Sequence, residues 1–387
     1  MGYASMSAPK NNSQQSWVIY SHSSDLGGAE LSLLEVVKPA FERGISLTLI
    51  LPREGPLQAE LEAIGVTEIV FLPTHTWMTG KFPRLLGIPR LILIGRESSR
   101  FSRFLREIAP DLLIVNTSTI PGPVRAGYQQ HIPTAVFVHE GIRSNRVLTS
   151  LLPKPWIIGL LNKWADLFIV PSEYVGQELG SEYLVSAPAI SKPKKNIKAL
   201  IELHQQGPHN PLRAVMLGRI SREKGHLDAI AAVKLARQQG INVQLSMYGD
   251  VDSTISRELS NMINSEGMRG VVFVHPPQKD IDSIFANADL TLVLSKYETY
   301  GRVAAESLTQ AVPVIGLDIP TTREMLAEGG GVLVSDPIQG TAELFQRFTE
   351  DHSGYRNAVS SIGSVTDKKS SAKTQTELFQ RLIALTH

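Results

Sequence analysis

Cysteine is absent from all 387 residues, so disulfides and thiolate metal sites are excluded and a reducing, cytoplasmic setting is expected. No stretch approaches the about 20 consecutive apolar residues that cross a bilayer as a helix. The first sixteen residues, M-G-Y-A-S-M-S-A-P-K-N-N-S-Q-Q-S, have no apolar core. They read as a disordered leader over 1–16 and not as a signal peptide, and Met6 breaks the N-myristoylation pattern. Excess charge of one sign is missing too. Lys and Arg number 38 against 37 Asp and Glu, a net charge of +1, without the basic surplus of a chain whose main partner is nucleic acid. No G-x-G-x-x-G follows the first strand-like run, which removes the best sign of a dinucleotide-dependent dehydrogenase.

What is present is an ordinary globular composition, 42% hydrophobic and 19% charged. The chain is long enough for two domains of about 150–200 residues, each with its own core. Short apolar runs bounded by polar residues recur at 17–21, 46–51, 68–72, 112–116, 134–138 and 167–170, and again at 213–217, 243–248, 271–275, 290–294, 313–317 and 331–334. Strands buried on both faces have this appearance, and helix-length connections between them imply β-α-β units and parallel sheets. Proline, glycine and lysine gather between the two series, in S-A-P-A-I-S-K-P-K-K-N and Q-Q-G-P-H-N-P, which reads as a linker over 186–211. The expected fold class is α/β, with two Rossmann-like domains whose parallel sheets face across a cleft. The N-terminal domain covers 17–185 and the C-terminal domain 212–365, and a last amphipathic segment follows over 366–387. In such folds ligands collect at the carboxyl ends of the strands.

The most informative segment, 295–316, reads S-K-Y-E-T-Y-G-R-V-A-A-E-S-L-T-Q-A-V-P-V-I-G. It follows the apolar run D-L-T-L-V-L-S, so Glu298 falls on the loop at a strand's carboxyl end. Tyr300, Gly301 and Arg302 open a helix whose free N–H groups face back toward that loop, a seat for an anion. Glu306 lies one turn into this helix. A carboxylate offers about four lone-pair sites, and a pair of carboxylates suits a ligand rich in hydroxyls beside a diphosphate. Taken singly, Glu298 reads as a helix cap and Glu306 as a solvated helix residue. Their joint placement, followed by the small-residue return A-V-P-V-I-G into the next strand, favours a nucleotide-sugar site.

This segment resembles the E-x7-E signature of the retaining glycosyltransferases of family 4, enzymes of the two-Rossmann GT-B architecture. G-R-I-S-R-E-K-G at 218–225 is similar to the family's G-R-x4-K-G loop, which implies that Arg219 and Lys224 face a leaving diphosphate. H-S-S-D-L-G-G-A-E at 22–30 resembles the family's G-G-x-E loop, with Gly27 and Gly28 approaching the donor. T-A-V-F-V-H-E-G at 134–141 matches a strand that ends in a histidine and an acidic residue, which puts His139 beside the transferred sugar, hydrogen bonding and orienting it. Glu30 reads as a first-turn helix residue favoured by the dipole. Departures exist. Tyr300 stands where phenylalanine is common, Y-G-D-V at 248–251 keeps only Gly249 of a G-x-G turn, and A-I-S-K-P replaces a P-N-G segment near the domain junction.

The resemblance implies a metal-independent, retaining hexosyltransferase that moves sugar from a nucleoside diphosphate to a glycan or lipid-linked acceptor. Cell-surface polysaccharide or glycolipid biosynthesis is the expected setting. The catalytic set is Glu298, His139, Arg219 and Lys224. The donor-binding set is Gly27, Gly28, Arg219, Lys224, Gly249, Tyr300, Gly301, Arg302 and Glu306, with no cofactor and no metal ligand. Two D-x-D strings, at 250–252 and 280–282, sit where helices should begin, where aspartates cap and favour the dipole. Another enzyme on the same architecture, an epimerase or a phosphorylase, stays open, as does a catalytically silent binding subunit. The C-terminal segment is expected to pack on the N-terminal domain. Residues 76–106 carry seven basic residues against the single acid Glu97, interleaved with apolar ones. Two readings stand for this segment: peripheral contact with an anionic membrane at the inner face, and an insertion packed on its own domain with solvated arginines.

Overall fold

The computed structural model describes residues 14–79, 87–145, 148–188, 190, 196–265, 267–368 and 371–387. Leader residues 1–13, and 80–86 of the basic segment with Lys81 and Arg84, lie outside the described residues. Two compact units divide the chain: Met1–Ala189 together with Ser371–His387, and Ile190–Ser370.

The strands of the first unit are β1 (Ser16–Tyr20), β2 (Ser46–Leu51), β3 (Glu68–Phe71), β4 (Met78–Thr79), β5 (Leu112–Val115), β6 (Thr134–Phe137), β7 (Thr149–Ser150), β8 (Leu167–Val170) and β9 (Tyr183–Val185). Seven of them form one parallel sheet in the order β3-β2-β1-β5-β6-β8-β9, while β4 and β7 pair as a short antiparallel ribbon. The apolar runs are continuous because both faces are covered. Along β1, Val18 and Tyr20 pack with Phe101, Phe104 and Leu105, whereas Trp17 and Ile19 pack with Leu33, Val36 and Val37 on the other side.

Two helices lie on opposite faces of this sheet. Gly87–Ile108 turns Ile94, Phe101, Phe104 and Leu105 inward, with the Phe101 ring edge-on to Tyr20 at 5.3 Å. Ile92 and Leu93 stay exposed, as do Arg96, Arg100 and Arg103. Among the described residues of the segment, most of the apolar ones therefore serve their own domain. The C-terminal helix Ser371–Ala384 buries Leu378, Phe379 and Leu382 in the same cluster as Trp17 and Ile19, with Phe379 5.5 Å from the Trp17 ring.

The second unit holds β10 (Leu212–Leu217), β11 (Val243–Tyr248), β12 (Val272–His275), β13 (Leu290–Val293), β14 (Val314–Leu317) and β15 (Gly331–Val334), all parallel, in the order β12-β11-β10-β13-β14-β15. This is the doubly wound order in which the strand sequence reverses between β10 and β13. The stretch read as a linker carries a helix, Ile197–His204, because Asn196 caps it (Oδ1 accepts from the Lys198 N–H, 2.9 Å) and Leu200 and His204 are buried. Among the described residues no helix is long and apolar enough to cross a membrane.

Candidate functional site

At the reversal point, β10 pairs directly with β13 (Ala214 opposite Leu290, Val215 opposite Thr291), so the loops that leave their carboxyl ends are neighbours. Glycine sets how close they come. Gly225 has φ +76°, and a Cβ there would lie 2.4 Å from the Leu294 carbonyl oxygen. The loops are also stitched by the Lys296 N–H donating to the Glu223 carbonyl (2.9 Å) and by Lys296 Nζ lying 3.4 Å from Asp228. Across them Lys224 Nζ meets Glu298 Oε1 at 2.5 Å. The loop after β11 joins from the other side. Gly249 exists there because a Cβ would lie 2.0 Å from the Gly218 carbonyl oxygen. Arg219 pairs with Asp252 at 2.5 Å, and Asp252 also accepts from Thr254, which holds its carboxyl below the usual carboxylate range. Both carboxylate oxygens of Asp252 thus accept from protein groups, in a turn just before the helix Ser256–Ile263.

The predicted helix opens as the sequence requires. Gly301 at φ +85° precedes Arg302–Thr309, leaving first-turn N–H groups without intrahelical partners. Glu306 is buried, and its Oε1 accepts from Arg302 Nε at 2.9 Å. Tyr300 packs against the apolar cluster of Ala304 and Leu308. Two supports escaped the sequence reading. Thr321 donates its hydroxyl to the Glu298 carbonyl (3.0 Å), fixing the loop from the next helix, Pro320–Leu326. His226 lies under the Lys224 turn, and burial, with Lys224 adding to it, brings its pKa down to about 4, so it is a neutral packing group. Neither has a motif signal, because each acts through a fold-determined contact. The second unit thus brings together Arg219, Lys224, Gly249, Glu298, Tyr300, Gly301, Arg302 and Glu306.

Gly27, Gly28 and His139 belong to the first unit. Gly27 precedes the helix Gly28–Glu42, and its N–H donates to Glu30 Oε2 (3.1 Å). A Cβ on Gly27 would lie 2.9 Å from that oxygen, while one on Gly28 would meet nothing within 4 Å. Glu30 therefore closes the first turn. His139 follows β6, its ring stacked on Phe137 at 5.7 Å and its Nε2 3.0 Å from Asn116 Oδ1. Burial, with His22 adding to it, holds the His139 imidazole neutral, its pKa down at about 3. Glu140 moves the other way: burial, with Glu30 adding to it, pushes its carboxyl up to about 7.

Comparison with known proteins bears on the family and the fold. The family model described as Glycosyltransferase Family 4 matches residues 26–191, and the one described as Glycosyl transferases group 1 matches 201–363. A D-inositol 3-phosphate glycosyltransferase of Arthrobacter is 28% identical over 133 residues, 33% of this chain and 32% of that protein. The sulfoquinovosyl transferase of Arabidopsis thaliana is 24% identical over 284 residues, 64% of this chain and 52% of that protein. The matched stretches thus span a third to about half of these relatives' own length. Among solved structures, HepE of Anabaena in complex with UDP superposes with TM-score 0.73 at 20% identity, covering 96% of this chain and 100% of that one. The pneumococcal O-GlcNAc transferase GtfA gives 0.70 at 10% identity, covering 97% and 100%. These two are likenesses of fold. With family models matching both halves and two doubly wound parallel-sheet units of the GT-B kind, the chain belongs to the family 4 type of glycosyltransferases.

Proposed function

We propose that the protein is a retaining glycosyltransferase that moves a hexose-type sugar from a nucleoside diphosphate to an acceptor hydroxyl, with 212–365 binding the donor and 17–185 the acceptor. The observation that carries this reading is the Lys224–Glu298 pair at the ends of neighbouring strands, beside the Gly301 turn and the buried Glu306. In the proposed roles, Arg219, Lys224 and the first-turn amides after Gly301 stabilise the charge that develops on the departing diphosphate, a task that requires preorganised cations and dipoles. With those cations in place the reaction needs no metal. Glu306 accepts from the ribose diol, Glu298 from hydroxyls of the transferred sugar, and His139 orients that sugar. Tyr300 and Gly249 shape the donor pocket, Arg302 holds Glu306, and Gly27 and Gly28 let the backbone approach. Support comes from the likeness to HepE, which was solved with UDP and with UDP-glucose. A further relative is a GDP-mannose:cellobiosyl-diphosphopolyprenol alpha-mannosyltransferase of Xanthomonas oryzae, 27% identical over 146 residues, 36% of this chain and 38% of that protein. That name and the exposed face of Gly87–Ile108 favour a lipid-linked acceptor met at an anionic membrane surface, in glycan or glycolipid synthesis.

Incubating the protein with labelled UDP- and GDP-sugars and a mixture of glycan and lipid-linked acceptors tests this. A labelled glycoside with the donor's anomeric configuration is expected. An inverted product, a labelled nucleotide sugar of altered configuration, or a phosphate-dependent product would replace the reading with an inverting transferase, an epimerase or a phosphorylase. Binding without turnover would leave a silent subunit.

A further inference from the structure

A lone acid, Glu97, stands among the seven basic residues of 76–106, and its partner is the histidine just before that run. Glu97 Oε2 accepts from the His75 backbone N–H at 2.9 Å and lies 2.8 Å from His75 Nδ1. The chain that carries His75 runs from β3 to β4 across the carboxyl ends of the strands, where ligands collect in doubly wound sheets. It is held at each step. The Leu72 N–H donates to the Leu51 carbonyl at the end of β2 (2.9 Å), and the Thr74 and Tyr20 hydroxyls lie 3.4 Å apart at the end of β1. Beyond β5, the carbonyls of Thr119 and Ser118 accept from the Trp77 N–H (3.0 Å) and Nε1 (2.9 Å). From the helix Gly87–Ile108, Arg90 donates to the Thr76 carbonyl (2.9 Å) and hydroxyl (3.0 Å).

The two partners differ in access. The Glu97 side chain is 10% exposed, and its Oε1 is buried against Gly122, where a Cβ would lie 3.1 Å away, in the first turn of the helix Pro121–Gln130. Burial pushes the Glu97 carboxyl above its usual range, and the hydrogen bond from His75 pulls it back. His75 is 29% exposed, and its Nε2 is not enclosed and meets no polar partner among the described residues. A backbone N–H can only donate, so Oε2 faces His75 as an acceptor and the proton between ring and carboxyl sits on Nδ1. The neutral ring therefore presents the Nε2 lone pair outward, its direction fixed by a carboxyl group behind it. Holding the loop would need only the backbone N–H; the bond to the ring sets where the lone pair points. A hydroxyl can satisfy that lone pair, whereas an anion would meet both the lone pair and the negative charge behind it.

We propose that His75, aimed by Glu97, is an acceptor-recognition residue of the first unit, its Nε2 accepting a hydrogen bond from a hydroxyl of the acceptor. Glu97 is a positioning residue that acts through His75. This deepens the transferase reading and rests on it for taking the hydroxyl as the acceptor's.

Long-range 1H–15N spectra of the full chain test the assignment, with the His75 signals identified by their loss in His75→Ala, or in His75→Gln if circular dichroism shows that the alanine disturbs the fold. The neutral ring should be the Nδ1–H tautomer. Titration with the methyl α-glycosides of glucose, mannose and galactose should move the Nε2 resonance with at least one of them, and inorganic phosphate should not. His75→Ala should weaken that glycoside about fivefold or more, the scale of one lost hydrogen bond. Glu97→Gln should weaken it less and add nothing once His75 is gone, as a residue acting through another must. In transfer assays the acceptor KM should rise in His75→Ala while the donor KM stays unchanged. An Nε2–H tautomer, an Nε2 signal indifferent to all three glycosides, a larger response to phosphate, or a Glu97→Gln effect that persists without His75 overturns the proposal. Failure of the transferase reading looks different: a glycoside still moves the His75 signal while no labelled sugar is transferred.

Discussion

Lys224 and Glu298 meet at 2.5 Å, with their side chains 39% and 16% exposed. An ion pair this open contributes at most about 1 kcal/mol to stability, so its value lies in placing the ammonium beside the Gly301 turn. If Lys224 and Arg219 clamp the diphosphate, Lys224→Ala or Arg219→Ala should lower kcat/KM about 100-fold, the scale for losing one preorganised charge-stabilising group; steady-state kinetics that show normal turnover would remove the clamp. The two glutamates should separate. Glu306→Gln should weaken affinity for free UDP or GDP by about 1–3 kcal/mol, because a ribose hydroxyl loses a charged acceptor. Glu298→Gln leaves Lys224 without its counter-charge, so affinity for the diphosphate should stay or rise while turnover falls. Calorimetry on both variants decides, and equal losses would defeat the assignment.

The same scale governs the pH response of the first unit. Glu140 is held near 7 in the fold against an ordinary 4.5, so between those values the unfolded chain ionises first. The fold loses stability as pH rises through that window, by about 3 kcal/mol for this group at the end of it. His139, lowered from 6.5 to about 3, acts oppositely, since its contribution is lost as pH falls below 6.5. Comparing Glu140→Gln with the wild type cancels the histidine. The variant's stability relative to wild type should climb by about 1–3 kcal/mol between pH 4.5 and 8 in urea titrations, and a constant difference would place Glu140 in an ordinary solvated setting.

Elements show where glycine is structural and where it leaves room. Gly225→Ala must fit a Cβ against the Leu294 carbonyl at φ +76°, which should cost about 1–3 kcal/mol and disturb the Lys224 loop. Gly28→Ala adds its methyl where nothing lies within 4 Å, in the first turn of a helix, and should leave stability within about 1 kcal/mol. Thermal unfolding of the two variants makes the comparison. The helix Gly87–Ile108 holds its domain through Ile94, Phe101, Phe104 and Leu105 and leaves Ile92, Leu93, Arg96, Arg100 and Arg103 outside. If that face meets membrane, each arginine adds about 1 kcal/mol of attraction to anionic lipid. Co-sedimentation with anionic vesicles should then weaken with salt and with Arg96→Glu/Arg100→Glu, and binding indifferent to both would leave a packed insertion with solvated arginines.

At the scale of the whole molecule, the chain does not finish in the unit it has just built. Ile190–Ser370 forms the second unit, and Ser371–His387 belongs to the first. Leu378, Phe379 and Leu382 cover the face of β1 that carries Trp17 and Ile19, each burial being worth about 1.5–3 kcal/mol. Ending the chain at 368 should therefore speed hydrogen exchange in β1 and β2 and leave β10 and β13 unchanged. Equal loosening of both sheets would mean that the helix supports the molecule in some other way.

The sequence by itself determined the sheets and their turns. Twelve apolar runs became strands within one residue of their predicted ends, because a strand buried on both faces needs an unbroken apolar run and a glycine at φ near +80° has few substitutes. The motifs at 22–30, 218–225 and 295–316 were legible for the same local reason, since each lies on one strand–turn–helix unit, while that at 134–141 lies at the end of β6 and the turn after it. The strands β4, β7 and β9 were not legible, being two or three residues long without apolar alternation. Nor was the helix Ile197–His204, whose apolar face matters only once Tyr355 and its neighbours are there to cover it. Tertiary structure alone decided the partners of the polar groups: Glu298 with Lys224, Arg219 with Asp252, Thr321 on the Glu298 carbonyl, and Asn116 with His139. Those contacts join residues 23 to 74 positions apart, where no periodicity reaches and only the pairing of neighbouring strand ends sets the distance.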